Sequence, residues 1–128
     1  MGWPDRTPTP ELLAQYAATL VELRRRGVLR TNNAPLGDYA EWLLHRALGG
    51  ALANSTSAKS YDLTLQDGRR VRVKARLVSD PPSRGQLQTS PFRSWDFELA
   101  ALMLLDSYAP TLAVLAPVVV LRAYAQHR

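Results

Sequence analysis

The chain contains no cysteine, which excludes disulfide bonds and thiolate-ligated metal sites. Long hydrophobic runs are also lacking. The longest, Leu112 to Leu121, has ten residues and includes Pro117, whereas a membrane-spanning helix needs about 20. Residues 1–10 lack the apolar core of a signal peptide. These absences predict a cytoplasmic protein that is not embedded in a membrane.

Lysine is scarce, but positive charge is not. Only Lys59 and Lys74 are lysines, and fourteen arginines bring Lys+Arg to 16 against 11 acidic residues, a net charge of +5. A basic excess favours a polyanionic partner, because clustered cations attract phosphate over long distances. DNA is therefore one expected partner. A protein partner is an alternative explanation of the same charge.

Length and composition indicate one domain. The 128 residues, 46% of them hydrophobic and 21% charged, suit a globular protein with a single core. We expect residues 1–128 to form that domain. Residues 1–8 are expected to be flexible, and residues 79–94, rich in proline and serine, are expected to form a long polar loop.

The spacing of apolar residues predicts two helices at the start of the chain. The first begins at Thr9-Pro10-Glu11, with Thr9 as N-cap, and ends at Gly27 after an arginine triplet that compensates the helix dipole. The second runs from about Leu36 to Leu48 and stops at Gly49-Gly50. Its expected apolar stripe is Leu36, Ala40, Leu43 and Ala47, with Asp38, Glu41 and His45 on the opposite side.

From Ala51 the pattern changes to the alternation typical of strands. The last segment, Pro117 to His127, is ambiguous between strand and helix, with proline placed for a first helical turn. The order α-α-β-β-β-β-β-α predicts an α/β fold with a mixed central sheet flanked by helices. The candidate strands are Ala51–Ser55, Ser60–Gln66, Arg69–Leu77, Trp95–Leu105 and Leu112–Ala116.

The dipeptide Asp67-Gly68 is a strong hairpin signal. A strict two-residue turn would split the aliphatic residues of the two strands between both faces of the sheet. A three-residue loop with a glycine bulge, or any one-residue shift, gathers four of them on one face, and burying each contributes roughly 1.5–3 kcal/mol. We therefore expect the shifted register. Leu63, Leu65, Val71 and Val73 then share one face, and Asp62, Thr64, Arg70, Arg72 and Lys74 share the other.

Three motifs follow in order: Glu41 in the helical stretch GDYAEWLL, Asp62 in SYDL, and RVK ending at Lys74. This order resembles the PD-(D/E)xK nuclease superfamily, which has the restriction-endonuclease-like fold. The resemblance covers about Leu36 to Lys74, with Trp95–Leu105 as its continuation. It implies a metal-dependent endodeoxyribonuclease in defence, restriction or repair, with Mg²⁺ or Mn²⁺ as cofactor.

The resemblance also implies roles for single residues. Asp62 and Glu41 would ligate the metal, and the backbone carbonyl of Val73 would complete the shell. Lys74 would orient the attacking water or neutralise phosphate charge, which makes Glu41, Asp62 and Lys74 the candidate catalytic residues. One position departs from the pattern: Arg72 stands where active relatives have an acid or glutamine, and arginine cannot ligate a cation. Either the two carboxylates hold the metal alone and Arg72 turns to phosphate, or catalysis has been lost and DNA binding kept.

Candidate DNA contacts lie on the hairpin and in the polar loop, because arginine and glutamine bond phosphates and base edges. The loop could equally be an ordinary polar connection. A structural or interaction domain is the third hypothesis, and a homodimer or a further partner chain stays open. The candidate DNA-binding residues are Arg70, Arg72, Arg76, Arg84, Gln86 and Arg93.

Overall fold

The computed structural model describes residues 2–54, 60–78, 92 and 94–126. Its contacts divide the chain into two units, Met1–Asn32 and Asn33–Arg128, which are treated separately below. The elements follow the predicted order of two helices, five strands and a final helix. None of the helices in the described ranges combines the length and the hydropathy that a bilayer span requires.

The first unit contains α1 (Thr9–Arg25), which begins one residue earlier than predicted. Pro8, not Thr9, is its N-cap, and Arg26 is its C-cap. Arg24, Arg25 and Arg26 at the end of the helix are exposed, which agrees with their interpretation as compensating the helix dipole. Arg25 and Arg26 also form ion pairs with Glu22. Arg25 and Arg26 both donate to Glu22, at 2.9 and 2.8 Å through their Nε atoms. These bonds, that of Arg25 first, lower the pKa of Glu22 to about 2.

The second unit is a five-stranded sheet in the order β1-β2-β3-β4-β5. The β3–β4 pair is parallel and the other three pairs are antiparallel, which confirms the predicted α/β class with a mixed sheet. The segment that was ambiguous between strand and helix is helical from Val118. The elements of this unit are α2 (Pro35–Leu48), β1 (Ala51–Leu52), β2 (Leu63–Thr64), β3 (Arg70–Leu77), β4 (Leu99–Asp106), β5 (Ala109–Pro117) and α3 (Val118–Gln126).

Helix α2 packs its apolar side on β3 and β4. Ala40 is fully buried beside Met103 and Leu105, and Leu44 is buried in a second cluster. The predicted stripe was wrong at its end, because Ala47 is exposed and Leu44 takes its place. Turning the helix toward Leu44 buries more apolar area than turning it toward alanine.

The expected polar side of α2 was also partly wrong. Asp38 is only 8% exposed, and Glu41 and His45 are half-buried rather than solvated. The Nε2 atom of His45 lies 3.1 Å from the carbonyl oxygen of Gly50, just beyond the end of the helix. This side of α2 therefore faces protein as well as solvent.

The shifted hairpin register is confirmed. Leu63 lies opposite Val71, and Thr64 lies opposite Arg70, which leaves a three-residue loop, 66–68. Gly68 at its end has φ +90° and donates 2.9 Å to the carbonyl of Leu65, the conformation that a glycine bulge requires. Leu63 and Val71 are fully buried in one cluster, against which Leu65 and Val73 pack. The apolar pattern therefore determines the register, although β2 is much shorter than predicted.

Strand β5 forms one edge of the sheet and is longer than predicted. It is exposed along most of its length, including the large side chains of Leu112, Val114 and Leu115. Its register shifts opposite Leu104 and Leu105, after the turn at Ser107 and Tyr108. At the opposite side of the sheet lie the short strands β1 and β2. Asp62 of the predicted motif immediately precedes β2.

Candidate active site

Asp62 lies immediately before β2 and is held against β3 by its own carboxylate. Its backbone N–H donates 2.8 Å to the carbonyl of Val71. Its Oδ2 accepts the backbone N–H of Val73 at 2.8 Å. Regular β2 pairing covers only Leu63–Thr64, so the carboxylate supplies the acceptor that a longer strand would have given to Val73. Buried backbone donors need such a partner, and the position of Asp62 is fixed as a result.

The second carboxylate oxygen of Asp62 faces a cation. Its Oδ1 lies 3.5 Å from Nη1 of Arg72, and the two side chains are 16% and 26% exposed. The distance exceeds that of a normal N–H···O bond, so the contact is mainly an attraction between charges. The expected shared face of Asp62 and Arg72 is thereby confirmed.

Lys74 lies on the same face of β3 as Arg72. The strand alternates, and Val71, Val73 and Ala75 belong to the clusters that pack against α2, which leaves Lys74 on the other face. Its Nζ lies 5.3 Å from the ring centroid of Phe92, within cation–π range. The ammonium is therefore positioned by an aromatic ring and is half-buried.

Phe92 belongs to a small aromatic group beside the site. Its ring centroid lies 5.2 Å from that of Trp95 and 5.3 Å from that of Phe97. The hydroxyl of Ser60 donates 3.1 Å to that of Ser94, which joins the segment before Asp62 to the segment before β4. Trp95 is half-buried in this group.

Arg70 connects β3 to the start of β4. Its guanidinium bonds Glu98 at 2.7 and 3.1 Å and Asp96 at 2.9 Å, and its backbone N–H bonds Glu98 at 2.7 Å. The bonds from Arg70 lower the pKa of Glu98 to about 2. The side-chain bond to Glu98 is the main cause that raises the pKa of Arg70. Arg70 thus links β3 to Asp96 and Glu98, the acidic residues just before β4. Its contact with DNA stays a prediction.

The two acidic partners of Arg70, Asp96 and Glu98, were not among the residues predicted from the sequence. Asp96 and Glu98 alternate with Trp95, Phe97 and Leu99, so the pattern already places the two acids on one side of an apolar segment. Their link to Arg70 depends on the parallel pairing of Val71 with Leu99. The sequence contained no signal for that pairing.

The donor set around Asp62 suits a hard cation in its chemistry. Glu41 lies on α2, whose apolar side packs over Val73 and Ala75, on the face of β3 opposite to Lys74, so its approach to Asp62 stays a prediction. In a strand, the N–H and C=O of one residue point to the same side. The amide of Val73 points to Asp62, so its carbonyl points to that side of β3 as well. Carboxylate and carbonyl oxygens are the ligands that Mg²⁺ takes while it keeps several waters. Arg72 is the one group that opposes a cation there.

A larger acidic cluster is absent from the described ranges, where no three His, Cys, Asp or Glu side chains gather as metal ligands. A site here would thus rest on Glu41, Asp62 and one backbone carbonyl.

Arg76 lies on the same β3 face as Lys74 by alternation. Three further candidate DNA contacts lie outside the residues that the structure describes: Arg84, Gln86 and Arg93.

No protein-family model matches the sequence, and no curated protein matches it. The resemblance to PD-(D/E)xK nucleases is therefore carried by the residues themselves. These are Glu41, Asp62 and Lys74 in that order, together with the hairpin register, which brings Asp62 beside β3, the strand that carries Lys74.

Proposed function

We propose that the protein is a metal-dependent deoxyribonuclease with a restriction-endonuclease-like fold, hydrolysing DNA phosphodiester bonds in defence, restriction or repair. The observation that carries the proposal is the 2.8 Å bond from the Val73 amide to Asp62. It fixes the acid of the motif beside the residue that immediately precedes Lys74. The bond holds Asp62 against β3, the strand that carries Lys74, and this supports the arrangement that the motif order implies.

In this proposal Asp62 and Glu41 hold Mg²⁺ or Mn²⁺, with the Val73 carbonyl as a further ligand. When bound, the metal lowers the pKa of a coordinated water and neutralises charge on the phosphate. Lys74 donates hydrogen bonds to a phosphate oxygen or to the attacking water, the role that a positioned cation has near developing negative charge. Phe92 keeps the lysine side chain at its place over the strand.

The ion pair between Arg72 and Asp62 favours a second candidate, a non-catalytic DNA-binding module on the same fold. There the guanidinium neutralises Asp62 in place of a metal. Arg72, Lys74 and Arg76 would then bind phosphates as a basic strand face, which makes DNA affinity strongly dependent on salt.

A cleavage assay with supercoiled plasmid and linear duplex tests the first candidate. We expect the wild type to nick or cut DNA with Mg²⁺ or Mn²⁺ and not with EDTA. Asp62→Asn and Lys74→Gln should each lower the rate by about 100-fold or more, as the loss of a group that contacts the reacting atoms does. Arg69→Gln, which removes a guanidinium paired with the exposed Asp67, is the matched control and should cut like the wild type. Folded wild type that cuts no DNA with any divalent metal would contradict the nuclease proposal.

A further inference from the structure

Two arginines on the same face of β3 are held very differently. Arg70 makes three side-chain hydrogen bonds to two carboxylates, at 2.7 to 3.1 Å. Among the residues that the structure describes, the one carboxylate in contact with Arg72 is Asp62, at 3.5 Å, beyond ordinary hydrogen-bond length. Arg70 is therefore fixed, whereas the pairing of Arg72 is one that a better anion can replace.

We propose that Arg72 exchanges Asp62 for a DNA phosphate, so that metal binding at Asp62 depends on bound DNA. The inference rests on the proposed function and adds a regulation of the same site. Arg72 is here a positioning residue. Without DNA it occupies the carboxylate that the cation needs, and with DNA it releases that carboxylate.

The geometry gives each step a physical reason. A guanidinium presents five donors in a planar fork and binds phosphate through two parallel bonds, whereas its contact with Asp62 is a single long one. Once Arg72 turns away, Oδ1 of Asp62 has lost its counter-charge. Oδ2 stays bonded to the Val73 amide, so the carboxylate keeps its position while its electrostatic environment changes.

The exchange also makes metal and DNA binding cooperative. A divalent cation beside Asp62 repels Arg72, and a phosphate nearby attracts it. Because linkage is reciprocal, the factor by which DNA raises metal affinity equals the factor by which metal raises DNA affinity. Such couplings typically amount to about 5- to 150-fold. Free metal alone would then leave the site in its ion-paired form, and the hydrolytic centre would assemble only on its substrate.

The test is a titration of Mn²⁺ followed by the electron paramagnetic resonance signal of the free ion, with and without a short DNA duplex. Binding of Mn²⁺ to the duplex alone is subtracted, and a gel checks that the duplex stays intact. We expect wild-type protein to bind Mn²⁺ about 10-fold or more tightly with DNA. Arg72→Gln should bind Mn²⁺ tightly without DNA and gain little from its addition.

Three further variants keep the result interpretable. Arg72→Lys retains a cation at the position and should retain the DNA dependence. Arg69→Gln removes the same charge from an arginine that is paired with Asp67 of the hairpin loop and has no role in the proposed site, so it should behave as the wild type. Asp62→Asn should bind no Mn²⁺ at the site under either condition.

Three outcomes overturn the exchange, and they differ in what they say of the proposed function. Wild type that binds Mn²⁺ equally with and without DNA, or Arg72→Gln with no gain in DNA-free affinity, overturns the exchange alone. No Mn²⁺ binding by any variant, with DNA present, overturns the exchange together with the metal-dependent nuclease.

Discussion

The backbone N–H of Val73 donates a 2.8 Å hydrogen bond to Oδ2 of Asp62, so the central acid of the candidate site is fixed by main chain. Every substitution of Val73 except proline keeps this main-chain donor, and the bond to Oδ2 needs no second side chain. Only Oδ1 is left for a charged partner, and in this structure that partner is Arg72.

This bond predicts different effects for two substitutions of Asp62. Asp62→Asn retains a carbonyl oxygen that can accept from Val73, and we expect its free energy of unfolding to stay within about 1 kcal/mol of the wild type. Asp62→Ala leaves the half-buried amide without its acceptor and should cost about 1–3 kcal/mol. Urea unfolding followed by circular dichroism measures both. Equal destabilisation by the two variants would show that the amide bond does not hold Asp62.

The Arg70–Glu98 tie predicts a loss of stability in Glu98→Gln. The variant removes the charge that receives two guanidinium bonds and should lower the free energy of unfolding by about 1–2 kcal/mol, the pair being partly exposed. Asp96→Asn, which affects a single and more exposed bond of the same arginine, is the control and should cost less than about 0.5 kcal/mol. Similar losses in the two variants would contradict a dominant role for Glu98.

The same tie predicts a dependence on pH. The pKa of Glu98 is lowered from 4.5 to about 2, so its contribution is fully present above the unfolded-state value near 4.5 and is lost as the pH falls toward 2. The difference in stability between the wild type and Glu98→Gln should therefore be constant from pH 5 to 7. It should shrink progressively below that range. A difference that grows on acidification would have the wrong sign for this account.

The order of elements, the mixed sheet class and the hairpin register were predictable because each follows from local periodicity or from burial of a few aliphatic residues. The register at Leu63 and Val71 is the clearest case, since the strict two-residue turn at Asp67-Gly68 would split the apolar set. The parallel β3–β4 pairing was not predictable, because it joins strands that are far apart in the sequence. For that reason the sequence showed Arg70 as a free basic residue, whereas the structure pairs it with Glu98.

The burial of α2 predicts that substitution by leucine destabilises the protein at one alanine of the helix and has little effect at another. Ala40 is fully buried against Met103 and Leu105, so Ala40→Leu should overpack that contact and cost about 1–3 kcal/mol. Ala47→Leu makes the same change at an exposed position of the same helix and should alter stability by less than about 0.5 kcal/mol. Thermal unfolding of the pair checks the rotation of α2. A larger cost at Ala47 would restore the stripe that the sequence pattern favoured.

The close approach of Gly50 to the hairpin predicts a severe effect of a single methyl group. A Cβ at Gly50 would collide with the carbonyl oxygen of Thr64 and meet Cα of Leu65 at 3.0 Å, and its φ is +81°. Gly50→Ala should therefore cost about 3 kcal/mol or more. Gly27 has a similar φ, +77°, with open space around its Cβ position, so Gly27→Ala should cost only about 1–2 kcal/mol. Equal costs would mean that β1 does not approach the hairpin as closely as the structure shows.

The candidate site was partly predictable for the same kind of reason as the fold. Short-range alternation gave the shared face of Asp62 and Arg72 and placed Lys74 beside them. What it could not give was the hydrogen bond from Val73, because that bond depends on the regular pairing of β2 beginning only at Leu63. The structure thus adds that Oδ2 of Asp62 is bonded to the Val73 amide. It also adds that Oδ1 faces the guanidinium of Arg72.

The measurement that tests the account most directly is DNA cleavage by wild type and Asp62→Asn at equal DNA occupancy. Binding to a labelled duplex sets the protein concentrations at which both occupy the same fraction of DNA, and Mn²⁺ is then added. The account predicts cleavage by the wild type and a loss of about 100-fold or more in Asp62→Asn. Equal cleavage by the two proteins, or none by a wild type that binds the duplex, would contradict it.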